Sequence, residues 1–161
     1  MVAELLDKEA AISTYDTLAR DYPEHGYADD ALFFEGGHDA VHPGDPNGGG
    51  AGRKAIRSQL DATLRRLNTD YLDLYWMHNW DRNTPVDETM KTLDDLVGSG
   101  KVRYIGFSNV PAWVTAQAQT MALLNRWTPL IALQVEYSLL ARTVEGEIAP
   151  MARDMGMALV P

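Results

Sequence analysis

Four short apolar segments recur at nearly regular intervals from residue 71 to the end of this sequence. They begin at residues 71, 102, 130 and 157, and an amphipathic helical pattern separates each segment from the next. Apolar runs of this length predict buried strands, and strands that alternate with helices form right-handed βαβ units around a parallel sheet. We therefore expect an α/β fold whose parallel strands are adjacent in sequence order, at 71–77, 102–107, 130–135 and 157–160.

The segments between these strands have the periodicity of helices that pack one face against a sheet. The pattern over residues 53–67 places Ile56 and Leu60 on the same side. Asn68 suits the residue that ends this helix. Thr84 precedes a proline and two acidic residues, so it suits the N-cap of the next helix. We expect helices on one outer face of the sheet, at 53–67, 85–97, 112–126 and 144–155.

The length of the chain limits how much of a barrel it can form. A closed (β/α)₈ barrel typically needs about 250 residues, whereas this sequence has 161. The pattern therefore predicts a partial (β/α)₈ TIM barrel over residues 53–161, with parallel strands and outer helices. Polar side chains at the carboxyl ends of such strands lie where barrel enzymes place their chemistry.

Composition excludes several classes of partner. The formal net charge is −9, so the chain lacks the basic surface that binds nucleic acid or an anionic membrane. No apolar stretch approaches the roughly 18 residues of a membrane span, and the N-terminus lacks the pattern of a signal peptide. There is no cysteine, which excludes disulfides and thiolate metal sites. We expect a cytoplasmic protein that binds neither nucleic acid nor membrane.

The first 52 residues have a different organisation. Residues 1–34 carry apolar side chains at helical spacing among charges, and we expect a helical N-terminal segment there. Residues 35–52 are rich in glycine, but no Gly-Lys-Ser/Thr follows the glycines as it does in a phosphate-binding loop. His38 and His42 have no third ligand beside them, so we expect a flexible loop without a metal site.

Polar residues stand at the ends of three predicted strands. His78 follows the first strand. Ser108 and Asn109 follow the second, and Gln134 and Tyr137 stand at the end of the third. Together they would offer hydrogen bonds to an amide and an aromatic surface for a flat ring. Each one alone has a structural explanation, such as a helix cap or rim packing, and their joint placement is what favours a functional site.

Three segments of the sequence resemble the aldo-keto reductases, in order and at the spacing of that family. They are residues 69–78 (TDYLDLYWMH), 100–109 (GKVRYIGFSN) and 134–140 (QVEYSLL). The loop-helix junction at 43–56 is also similar to that of some bacterial members. The resemblance covers residues 43–161 and implies that the four strands correspond to the fourth to seventh of an eight-stranded barrel.

The resemblance also implies an activity and a set of roles. Aldo-keto reductases move a hydride between NADP(H) and a carbonyl compound or alcohol. By this likeness His78 would orient or help polarise the carbonyl of a small-molecule substrate. Ser108, Asn109 and Gln134 would hold the nicotinamide amide of NADP(H), and Tyr137 would stack under the nicotinamide ring.

Two parts of the family's pattern have no good match in this sequence. The family's proton donor is a tyrosine whose pKa is lowered by a lysine that pairs with an aspartate. Residues 15–22 only echo the aspartate-tyrosine segment, with a spacing one residue too long, and Leu32 stands about where the lysine would be. The family's site for the adenosine 2′-phosphate would lie beyond Pro161. We therefore expect weak or absent NADP(H) binding and no carbonyl reduction by this chain alone, since a general acid contributes about 10²- to 10⁴-fold.

Three functional hypotheses stay open at the level of sequence. The chain is a reductase polypeptide that holds about half a barrel, a non-enzymatic binding or scaffold fragment, or a truncated gene product without a selected function. A half barrel would leave its outer strands, 71–77 and 157–160, with unpaired backbone groups, which predicts a homo-oligomer or a poorly soluble chain rather than a stable monomer. It would also expose an inner face, whose expected residues, depending on register, are Tyr71, Tyr75, Ile105 or Leu133.

Overall fold

A parallel β-sheet covered by helices is the architecture of the computed structural model, which describes residues 49–161 and the backbone of residues 33–35. The strands are β1 (Phe33–Glu35), β2 (Leu72–His78), β3 (Val102–Ser108), β4 (Leu130–Gln134) and β5 (Ala158–Val160). The helices are α1 (Arg53–Leu67), α2 (Val86–Gly98), α3 (Ala112–Asn125) and α4 (Ile148–Asp154), with a 3₁₀ turn at Thr143–Glu145 before α4.

The order of the strands confirms the α/β fold predicted from the repeat. Every pairing is parallel, and the order in the sheet is β1-β2-β3-β4-β5. Strand β3 lies between β2 and β4, as predicted, and each of the four predicted strands lies within one residue of its expected bounds. A helix crosses over between each successive pair from β2 to β5, which is the connectivity of a partial (β/α)₈ barrel.

Strand β1 is an element that the sequence pattern did not predict. Its residues, Phe33–Glu35, fall at the end of the expected helical segment and the start of the expected glycine-rich loop, yet they pair with residues 76–78 of β2. The edge of β2 explains this pairing, because an edge strand presents N–H and C=O groups that an added strand can satisfy. The expectation that β2 would be a bare outer strand is therefore wrong over its last three residues.

The two faces of the sheet have different neighbours. The helix side forms the main core, in which Tyr75, Ile105 and Leu133 are buried among side chains of the helices. The opposite side carries a smaller cluster around Trp76 and Ala132. Successive strand residues point to opposite faces, so the expected inner-face positions of Tyr75, Ile105 and Leu133 are wrong. All three lie on the helix side.

The predicted helix 144–155 is divided into two shorter elements. The 3₁₀ turn ends at Glu145, and α4 begins at Ile148. Pro150 explains the division. In a helix that began at 144, it would lie in the interior, where proline removes a hydrogen bond to the carbonyl four residues earlier and its ring clashes with that group. In α4 it falls within the first turn, where a missing N–H costs little.

Several expectations fall on parts of the chain that the structure does not describe. The helix expected within residues 1–32 and the loop at 36–48, with His38 and His42, lie outside the described residues. Within the described part, no helix is both long and apolar enough to cross a membrane. No group of three acidic or histidine side chains in that part is placed to hold a metal ion.

Candidate active site at the carboxyl ends of the strands

Three of the predicted site residues lie side by side at one edge of the sheet. His78 ends β2, Ser108 ends β3 and Gln134 ends β4. The register pairs His78 with Ser108, and Ser108 with Gln134. Because neighbouring strands lie about 4.8 Å apart, these three residues form a row about 10 Å long, which we call the rim row.

The chain turns sharply after the first two members of the rim row. Asn79 and Asn109 have φ angles of 64° and 54°, in the left-handed region that asparagine tolerates better than most residues. The N–H of Asn79 donates to the carbonyl of Ser108 at 2.8 Å, and the N–H of Asn109 donates to the carbonyl of Gln134 at 3.2 Å. Each strand end is therefore bonded to the next strand, which fixes the backbone beneath the rim row.

The imidazole of His78 lies between two asparagine amides. Its Nδ1 is 3.4 Å from Nδ2 of Asn79, and its Nε2 is 3.0 Å from Nδ2 of Asn109. The His78 residue is half-buried, whereas both asparagines are exposed. The structure thus brings Asn109, the fourth predicted site residue, into direct contact with His78.

The third member of the rim row has an acceptor without a partner. Oε1 of Gln134 is buried and has no hydrogen-bond partner among the described residues. A buried acceptor in this state costs about 1–3 kcal/mol of folding free energy. An N–H group of a bound amide would satisfy it, so this atom is suited to a ligand.

Tyr137, the fifth predicted site residue, is held by a different set of contacts. Its hydroxyl donates to Oε1 of Glu145 at 2.8 Å, and Arg142 pairs with the same carboxylate at 2.6 Å. The hydrogen bond to Glu145 raises the pKa of the Tyr137 hydroxyl above its ordinary value, because the carboxylate accepts from the protonated phenol. The Tyr137 ring also packs against the main core. Its orientation is therefore fixed at both ends.

Asp81 organises the loop after β2, and sequence reasoning missed it. Its carboxylate is almost fully buried and accepts hydrogen bonds from the N–H of Ala51 at 2.9 Å, the N–H of Asn83 at 2.8 Å and the hydroxyl of Thr84 at 2.5 Å. Thr84 therefore does not cap α2 as predicted, and Pro85 occupies the N-cap position. The sequence separation of 30 residues between Asp81 and Ala51 left no local signal for this contact.

Helix α2 strengthens the same junction. Oε1 of Glu88 accepts from the N–H of Arg53 at 3.0 Å, and the hydroxyl of Thr89 donates to the carbonyl of Ala51 at 3.1 Å. Glu88 thus satisfies one of the free N–H groups at the start of α1, where Gly52 has no side chain to do so. These bonds hold the start of α1 against the loop that follows His78.

Comparison with known proteins identifies the family. Residues 42–161 match the Aldo/keto reductase family. The chain belongs to this family. The resemblance inferred from three short segments is therefore confirmed, over nearly the range expected.

Individual oxidoreductases and reductases are similar to about 70% of the chain. The chain is 45% identical over 121 residues to the uncharacterized oxidoreductase YrpG of Bacillus subtilis. This match covers 72% of this chain and 37% of that protein. It is 41% identical over 115 residues to norsolorinic acid reductase B of Aspergillus parasiticus, covering 71% and 30%. It is 41% identical over 112 residues to versiconal hemiacetal acetate reductase of Aspergillus parasiticus, covering 70% and 32%. The chain spans about a third of the length of these relatives.

Aldo/keto reductases generally use NAD(P)H, so the rim row can be compared with what a nicotinamide needs. The carboxamide of nicotinamide has two N–H donors and one carbonyl acceptor. The unpartnered Oε1 of Gln134 suits one of those donors, and the exposed amide of Asn109 offers both kinds of group. The residues at this edge therefore fit the nicotinamide end of the cofactor.

A lysine-tyrosine proton donor, which the family likeness implies, is not formed by the described residues. The lysines among them are Lys54 on α1, Lys91 on α2 and Lys101 just before β3, and none of them belongs to the rim row. Burial on the helix side raises the pKa of the Tyr75 hydroxyl far above its ordinary value. The Tyr137 hydroxyl is held by Glu145, with its pKa also raised. Within the described part, neither of these two hydroxyls is prepared to give up a proton.

Proposed function

We propose that this chain supplies the nicotinamide-binding and carbonyl-orienting part of an NADP(H)-dependent aldo/keto reductase site. One observation carries the proposal: His78, Ser108 and Gln134 align in register at the carboxyl ends of three adjacent parallel strands. This edge is where (β/α)₈ barrels place their active sites. Two of the relatives are named as reductases, which supports a small carbonyl compound as the substrate.

Each residue has a role that its chemistry allows. The amides of Asn109 and Gln134 and the hydroxyl of Ser108 would hold the carboxamide of nicotinamide. The ring of Tyr137, fixed by Glu145, would offer a flat apolar face for stacking. Bound NADPH would supply the hydride. An N–H of His78 would donate to the carbonyl oxygen of the substrate, which orients the carbonyl and favours charge development on that oxygen.

We further propose that the chain alone does not complete the reduction. A proton must reach the carbonyl oxygen as the hydride reaches the carbon, and the hydroxyls of Tyr75 and Tyr137 do not suit that task. The rim row provides contacts for the nicotinamide end only. We therefore expect a Kd for NADPH well above about 1 µM, and no carbonyl reduction above that of buffer.

Ligand-detected NMR tests the binding part of the proposal, because saturation-transfer difference spectra report weak complexes. With NADPH, we expect stronger saturation of the nicotinamide ring protons than of the adenine protons. Gln134→Ala and Tyr137→Leu should weaken the nicotinamide signal. Gln117→Ala, at an exposed amide on α3, is the matched control and should leave it unchanged. Stronger adenine signals, or equal spectra for all variants, would refute this binding mode.

Absorbance at the NADPH band tests the reaction part of the proposal with a panel of small aldehydes and ketones. We expect no turnover from the wild-type chain and no change in His78→Ala. Turnover that the His78→Ala substitution abolishes would show that the chain contains a working proton donor, and this part of the proposal would then be wrong.

A further inference from the structure

The two asparagines that flank His78 constrain which of its ring nitrogens carries the proton. Nδ2 of Asn79 lies 3.4 Å from Nδ1, and Nδ2 of Asn109 lies 3.0 Å from Nε2. A neutral imidazole has one N–H donor and one acceptor nitrogen, so it cannot accept from two amide N–H groups at once. One of the two amides therefore presents its oxygen to the ring, since amide nitrogen and oxygen exchange places by a half-turn of the side chain.

Two arrangements satisfy this requirement. In the first, Asn79 donates its N–H to Nδ1, and the proton on Nε2 is given to the amide oxygen of Asn109. In the second, Nδ1 donates to the amide oxygen of Asn79, and Asn109 donates to Nε2. Only the first leaves an N–H on Nε2, the nitrogen that faces the end of the neighbouring strand.

We propose that Asn79 is a positioning residue that keeps the proton of neutral His78 on Nε2. Nε2–H is the tautomer that free histidine prefers in water, and a donor on Nδ1 adds to that preference. This proposal rests on the proposed function of His78. Only an N–H on Nε2 can donate to Asn109 in the free protein and to the carbonyl oxygen of a substrate when one is bound at the rim row. In the free protein this N–H donates to the amide oxygen of Asn109, and the carbonyl oxygen of a bound substrate would replace that acceptor.

The backbone at Asn79 allows a clean set of substitutions. Its φ of 64° lies in the region that asparagine, aspartate and glycine accept most readily. Asn79→Asp keeps the shape but replaces the N–H donor with an acceptor, so it favours a proton on Nδ1. Asn79→Gly removes the side chain and keeps the φ angle. Asn68→Gly, at the left-handed residue that ends α1, is the matched control for the backbone effect.

Long-range ¹H–¹⁵N spectra of the histidine rings test the proposal on the full chain labelled with [¹⁵N]histidine. They are recorded at a pH at which the ring ¹⁵N shifts themselves show the neutral form. His78 is one of four histidines, and His78→Gln identifies its signals. We expect Nε2–H in the wild type and in Asn68→Gly. In Asn79→Asp, a charged acceptor should shift the tautomer ratio toward Nδ1–H by about tenfold or more.

The outcomes separate this proposal from the proposed function. A wild-type ring protonated on Nδ1 would overturn it, and so would Asn79→Asp and Asn79→Gly spectra that both match the wild type. If the aspartate variant fails to fold, Asn79→Gly decides: a smaller share of Nε2–H than in the wild type supports the proposal, and an equal share overturns it. The measurement needs neither cofactor nor substrate. NADPH binding can therefore fail while the tautomer assignment holds. The tautomer assignment can also fail while NADPH binds.

Discussion

Gly106 lies where three strands come so close together that a methyl group does not fit. It belongs to β3, and the register places it between Trp76 of β2 and Ala132 of β4. A Cβ at this position would lie 2.5 Å from Cζ3 and 2.7 Å from Cε3 of Trp76, and 2.9 Å from the carbonyl oxygen of Ala132. Carbon atoms in contact are normally about 3.5–4.0 Å apart. Gly106→Ala therefore requires the Trp76 ring or a strand backbone to move.

The expected loss of stability depends on which neighbouring atoms can move away from the added methyl group. Overpacking a filled core typically costs about 1–3 kcal/mol. Trp76 has no exposed surface, and the third contact is a backbone oxygen in the sheet. We therefore expect the upper end of that range, about 3 kcal/mol, for Gly106→Ala. Gly98→Ala is the control, because no atom lies within 4 Å of its added Cβ. At the end of α2 it should raise the free energy of unfolding by about 0.5–1 kcal/mol.

Urea unfolding followed by circular dichroism measures both variants, with an unchanged m-value as the sign that only stability has changed. A second substitution tests the cause. Trp76→Leu removes the ring, so the double variant with Gly106→Ala should lose less stability than the two single losses combined, with a coupling of about 0.5–3 kcal/mol. A Gly106→Ala stability within about 0.5 kcal/mol of the wild type, or additive losses, would refute the packing argument.

Four further results are expected from the same structure. Gly52→Ser should stabilise the chain by about 0.5 kcal/mol in urea unfolding, because a hydroxyl can cap α1 in an extended backbone that already suits it. Gln119→Leu should destabilise by about 2–3 kcal/mol in the same assay, because its buried amide bonds both the N–H and the carbonyl of Leu130; Gln117→Leu is its exposed control. Glu145→Gln should lower the pKa of Tyr137 toward its ordinary value in a ¹³C NMR titration, because the carboxylate that favours the protonated phenol is gone; an unchanged pKa would contradict this. No described strand pairs with the outer edge of β5, so we expect a homo-oligomer in sedimentation velocity, and a sharp monomer at all concentrations would disprove it.

Local patterns in the sequence predicted the elements whose causes are local. The spacing of Ile56 and Leu60 gave the bounds of α1, and Asn68 ends that helix with a φ of 52°, as expected. The positions of the strands followed from apolar runs bounded by turns. Their carboxyl ends were also predictable, because parallel strands joined by single helices must all point the same way.

Features that depend on contacts between distant residues were not predictable in this way. Strand β1 forms because the edge of β2 is available, and nothing in Phe33–Glu35 announces that partner. The strand sequences are apolar on both faces, so the inner and outer sides could not be told apart from pattern alone. The contact between His78 and Asn109 depends on the register of two strands, which the sequence places at one edge but does not align residue by residue.

The alternation of side chains along the strands has a consequence for how this protein can change. The residue before each member of the rim row, Met77, Phe107 or Leu133, is buried in the main core. Substitutions at adjacent positions should therefore fall into two populations, one that lowers the yield of folded protein and one that leaves the yield intact while altering the rim. Evolution or laboratory selection can thus change the chemistry of this edge one residue at a time, because substitutions in the rim row leave the packing of the core unchanged.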